Sequence, residues 1–123
     1  MKLLSVLLVL LVAAEQFYIA YLEITAVPSD KTVNLFKLSY EFMAQKSVKT
    51  LFANLGLYNA FLGIGLLWGQ FALADAAKYG ATMLFLGFVL IAAAWGAFTS
   101  GSKSILFKQG LPAALAAVAV LAV

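Results

Sequence analysis

The chain has 123 residues, 65% of them hydrophobic and 11% charged, where a soluble domain carries about 25% charge; its mean hydropathy is +1.04. This composition excludes a water-soluble enzyme with a charged surface, a disordered tail and a basic nucleic-acid domain, and it points to an integral membrane protein. The net charge of +3 comes from eight lysines without an arginine, and with neither Cys nor His disulfides, thiolate chemistry, imidazole metal ligands and histidine acid–base catalysis are all out of reach.

Four stretches approach the length of about 20 apolar residues that a helix needs to cross a bilayer: Leu3 to Val27, Leu51 to Ala74, Tyr79 to Phe98 and Ile105 to Val123. The expected fold is all-α, a single four-helix membrane domain over residues 1–123. Met1-Lys2 followed by Leu3 to Ala14 imitates a signal peptide, but the apolar pattern resumes at once as Phe17-Tyr18-Ile19-Ala20-Tyr21-Leu22, so a retained span is the expected reading. Pro28 lies just past the first span and Pro112 near the start of the fourth, a distribution that predicts fairly straight helices.

The segment Pro28 to Thr50 is the one long connection. Ser39 is placed to cap a short helix through Glu41, Phe42, Met43 and Gln45, and Val33, Leu35, Phe36 and Leu38 add apolar surface beside Lys37, which predicts an interfacial, membrane-anchored loop. Lys31, Lys37, Lys46 and Lys49 fall between spans one and two, and Lys103 and Lys108 between three and four or at the very start of four, against Lys2 and Lys78 on the other side. The asymmetry puts both lysine-rich connections in the cytoplasm, with both termini outside.

Polar side chains concentrate in the first two spans: Glu15, Gln16, Tyr18, Tyr21 and Glu23 in one, Asn54, Tyr58, Asn59 and Gln70 in the other. Glu15 lies midway along its span. A charged group there costs about 2.5–3.5 kcal/mol on insertion scales, against about 0.3–0.6 kcal/mol returned by each Leu, Ile, Phe or Val, so the helix inserts and the acid is expected to face the bundle. With no lysine in a span centre, its expected companions are neutral: Gln16, Tyr18 and the amides of span two. Glu15 with Tyr18, and Asn54 with Tyr58, each share a helix face. Antiparallel packing sets Glu23 level with Asn54 and brings Tyr58 and Asn59 toward Glu15. The expectation is a polar cleft between spans one and two, lined by Glu15, Gln16, Tyr18, Asn54, Tyr58 and Asn59, with Glu23 and Gln109 secondary. Its competing reading is plain helix-to-helix hydrogen bonding. Gly65 with Gly69, and Ala92 with Gly96, make small-residue faces that suit close helix approach and a homodimer; Gly63-Ile64-Gly65 is not a dinucleotide loop, since no strand precedes it.

The stretches Glu15-Gln16-Phe17-Tyr18-Ile19-Ala20-Tyr21-Leu22-Glu23, Asn54-Leu55-Gly56-Leu57-Tyr58-Asn59-Ala60-Phe61-Leu62 and Ile105-Leu106-Phe107-Lys108-Gln109-Gly110-Leu111-Pro112-Ala113 resemble the domain-of-unknown-function 1304 family of small bacterial membrane proteins. The resemblance covers nearly the whole chain and implies four spans; it implies no established activity. Where the family pattern often has a histidine after the glutamate this chain has Gln16, and where it often has a glutamine after the asparagine this chain has Leu55.

Two functions fit these residues. One is a proton-coupled transporter or exporter of small molecules in which Glu15 alternates between protonated and substrate-bound states, an analogy with small four-span multidrug exporters that carry a glutamate in span one. The other is a non-catalytic module that binds a lipid or a small apolar or cationic ligand, or supports another membrane protein. An enzyme ranks last, because the pattern offers no nucleophile–base pair, metal site or cofactor motif. Membrane lipids are the expected partners and nucleic acid is not.

Overall fold

A backbone in hydrocarbon has to satisfy its own hydrogen bonds, and an apolar run free of proline does so as a helix. The computed structural model describes residues 2–123; Met1 of the basic N-terminal stretch lies outside them. Helix α1 runs Lys2–Thr25, α4 Lys46–Phe71 and α5 Asp75–Ser100. The fourth span, Lys103–Leu121, is composite: α6 at Lys103–Ile105, a π-helical segment at Leu106–Gly110 and α7 at Leu111–Leu121. The fold is therefore all-α, with four helices long and apolar enough to cross a membrane. Helix α1 packs on α4 and on α7, and α5 packs on the same two, which puts α1 and α5 at opposite corners of the bundle.

The second and third spans begin earlier than their apolar runs. Lys46 and Lys49, expected in the connection, fall in the first turn of α4, because hydropathy measures the lipid-facing length of a helix and not where its hydrogen bonding starts. The fourth helix is not regular throughout. Pro112 sits near its start, as expected, with helix ahead of it. Its ring has no N–H and crowds the carbonyl one turn back, that of Lys108. The chain widens at this point, and the Leu111 N–H bonds the Leu106 carbonyl, five residues earlier.

The long connection holds two short helices. Ser39 caps α3, Tyr40–Met43, by accepting from the Phe42 N–H, as the sequence predicts. Helix α2, Asp30–Phe36, was not anticipated; its signal is the Ser29 and Thr32 pair, a capping box in which each side chain accepts from the other's backbone N–H. The connection is packed down at both edges. Thr32 Oγ1 donates to the Ala26 carbonyl at 3.0 Å, and the fully buried Ser102 donates from Oγ to the Leu35 carbonyl at 3.1 Å. Beneath it Val27, Met43, Val48 and Phe52 form a small core with Val33, Phe36 and Leu38. The interfacial loop of the sequence reading is thus a cap fastened over one end of the bundle.

The main core, built on Val9, Val12, Ala13, Leu66, Leu86 and Val89 with three alanines of α7, fills the other half. Glycines set the closest helix approaches. A methyl at Gly56 would lie 2.9 Å from the Ala20 carbonyl oxygen and 2.7 Å from Ile24 Cγ1. Gly65 faces the Phe85 ring and Gly69 faces Thr82, so this small-residue face, on which a homodimer was expected, is occupied within the chain. Gly56→Ala is expected to destabilise the bundle by about 1–3 kcal/mol through overpacking. Gly80→Ala, with nothing within 4 Å, is expected to stabilise it by up to about 1 kcal/mol. Unfolding midpoints in mixed micelles check both.

Candidate functional site

Glu15 is carried on the face of α1 that also bears Tyr18, Ile19 and Leu22, and these four line one wall of a cleft of about 560 Å³. The capping helix closes a second wall with Lys31, Asn34, Leu35 and Lys37, and the fourth span supplies Ser104, Lys108 and Gln109. The expected cleft between spans one and two is not what forms. At 3.6 residues per turn, Glu15 is rotated about 140° from Ala20, and it is Ala20 whose carbonyl meets Gly56 of α4. Glu15 therefore looks toward the cap and the fourth span.

The neutral surroundings expected for Glu15 are corrected as well. Lys31, Lys37 and Lys108 share its cleft, brought there by the folded connection and by the widened turn before Pro112. Tyr18 Oη accepts from Lys31 Nζ at 3.4 Å. Among the described residues Glu15 Oε1 is buried without a hydrogen-bond partner. Lys37 closes α2 in the left-handed region at φ 60°, a conformation that costs a residue with a side chain about 1–2 kcal/mol and that glycine adopts freely. Lysine at that position puts an ammonium on the cleft rim.

Except for Gln109, the remaining predicted site residues lie elsewhere. Gln16, one position and about 100° round from Glu15, is buried in the bundle at 1% exposure with Nε2 unpartnered. Asn54 and Tyr58 do share a face, as predicted, but it is an outward one: both are exposed, and Tyr58 stacks edge-on with Phe61 at 6.0 Å between ring centroids. The face of α4 turned to α1 is marked by Gly56, Asn59 and Gly63, where Gly63 receives the Phe17 ring. On it Asn59 Nδ2 donates to Glu23 Oε1, pairing the secondary candidate Glu23, 3% exposed, with Asn59 in place of Asn54. Gln109 is the second candidate that joins Glu15.

A smaller pocket of about 190 Å³ lies at the opposite end, where Lys2, Ser5, Asp75 and Lys78 surround Gln70 and Thr82; Gln70 Nε2 donates to Thr82 Oγ1 at 3.0 Å. Between the two pockets stands the packed apolar core. The sequence reading missed Lys31, Asn34, Lys37, Ser104 and Lys108. A signal was available in the Ser29 capping box and in Pro112, which together fix how the connection folds and how the fourth span turns.

Comparison with known proteins identifies the family. The family profile described as "Protein of unknown function (DUF1304)" matches residues 10–121. The chain is similar to the uncharacterized protein YpaA of Lactococcus lactis subsp. lactis (strain IL1403), 40% identical over 111 residues that cover 90% of this chain and 92% of the relative. No solved structure matches.

Proposed function

The chain belongs to the DUF1304 family of proteins of unknown function, and from that premise and the cleft's geometry we propose that it is an intramembrane binding module for a small amphiphilic molecule. The cleft is of ligand size and combines apolar walls, Ile19, Leu22 and Leu35, with a few convergent polar groups. The observation that carries the reading is Glu15 Oε1, a buried oxygen of a cleft-lining residue with no partner among the described residues. The excess of lysines at this end supports a mouth at the cytoplasmic face of a bacterial plasma membrane, with both termini outside. Chain purified in mild detergent is expected to retain about one amphiphile per copy by native mass spectrometry, and Ser104→Trp, which fills the cleft, is expected to lose it. An empty wild-type chain would sink the reading.

The transporter reading is favoured by one observation, the second pocket at the far end. It requires the core between the pockets to part. The binding reading predicts no proton-coupled flux in proteoliposomes for the wild type or for Glu15→Gln; flux that disappears with the substitution would establish transport instead.

A further inference from the structure

The binding reading leaves the ligand's chemistry open, and the order of charges along the cleft narrows it. Glu15 lies ten residues before the end of α1 at Thr25, about 15 Å along the axis at 1.5 Å per residue. Lys108 lies only five residues into the fourth span from Lys103, about 7 Å deep by the same rise. Lys31 and Lys37 belong to the capping helix itself. The three amines therefore ring the mouth, and the lone carboxylate sits below them on the apolar side.

Resting on the binding reading above, we infer that the cleft takes a phosphate monoester that carries a hydroxyl or amino donor on the apolar side of its phosphate. Three amines against one carboxylate give the site a net positive charge, which disfavours the cationic ligand expected from the sequence. Each ammonium donates to a phosphate oxygen, the charge-assisted pairing that lysine makes as a point charge. The unpartnered Oε1 of Glu15 is an acceptor, so the ligand is to bring a donor to it. A monoacyl glycerol phosphate meets both demands, because its free hydroxyl lies between the phosphate and the acyl chain. A diacyl phospholipid has only ester oxygens there, and these would confront the Glu15 acceptor. The ligand's chain would run along Ile19, Leu22 and Leu35.

The test uses the full chain in dodecyl maltoside, titrated with monooleoyl glycerol phosphate, dioleoyl phosphatidate, oleyl phosphate, glycerol phosphate and oleyl trimethylammonium. Monooleoyl glycerol phosphate is expected to bind about tenfold or more tighter than the diacyl and the cationic probes, and Lys31→Ala, Lys37→Ala and Lys108→Ala to weaken it about tenfold each. Glu15→Gln is expected to weaken the monooleoyl probe and leave oleyl phosphate, which has no hydroxyl, unchanged. Glycerol phosphate bound as tightly as its oleoyl ester assigns the same chemistry to a soluble phosphate; weaker binding assigns it to a lipid. Should a lysine variant fail to fold, slower maleimide labelling of Gln109→Cys in the presence of monooleoyl glycerol phosphate reports occupancy independently, since the chain has no other cysteine. Equal binding of the cationic or the diacyl probe overturns the inference. A retained neutral or cationic amphiphile overturns it while leaving the binding reading standing; no retained amphiphile at all removes the binding reading first.

Discussion

Glu15→Leu is expected to make the protein more stable and to empty it. The substitution removes a charged group from the middle of a span, where such groups cost about 2.5–3.5 kcal/mol, and installs one of the residues that insertion most favours. Because Glu15 is only partly enclosed by the cleft, the net gain expected is smaller, about 1–2 kcal/mol. Its Oε1 makes no hydrogen bond among the described residues that would be lost. On the binding reading, a side chain that weakens the fold and bonds nothing in it serves a ligand, the usual relation between stability and activity at a site. Unfolding in mixed micelles, paired with native mass spectrometry of the same sample, reads both effects. A destabilised Glu15→Leu chain would instead make the acid a structural element.

Asn59→Leu should do the opposite. Glu23 is 3% exposed between α1 and α4, and the Asn59 amide is the partner of its Oε1. An average hydrogen bond between membrane helices is worth about 0.6 kcal/mol, but removing one partner strands the other, and an unsatisfied buried polar group costs roughly 1–3 kcal/mol. The single variant is expected to fall by about that amount in denaturant midpoint free energy. The double variant Glu23→Leu with Asn59→Leu is expected to recover most of it, since two apolar side chains leave nothing unpaired. A single variant no less stable than the double one would mean that the pair contributes little. The two predictions separate the two acids of α1: one serves the contact between helices, the other does not.

The architecture was legible because span length and apolar content are set by the bilayer, and the same arithmetic found all four helices. Periodicity on a single helix was legible too: Glu15 with Tyr18, and Asn54 with Tyr58, share faces as read. What failed was the step from a face to its neighbour. Nothing in the polar pattern says which side of α1 meets α4; the small residues do. Gly56 and Gly63 mark that contact, whereas attention to Gly65 and Gly69 found the contact with α5. The cleft was illegible for a different reason. Half of its lining comes from a connection whose fold depends on a seven-residue helix, too short for hydropathy to detect, and from a turn widened by Pro112.

That widened turn bears on how sequences of this kind should be aligned. A π segment accommodates one residue more than an ordinary helical turn, so a relative shorter by one between Lys103 and Pro112 would keep its fourth span and merely close the helix to regular winding. Such a one-position gap would look like trivial length variation. Physically it would redirect Lys108 and Gln109, and the gap would mark a branch with altered ligand preference.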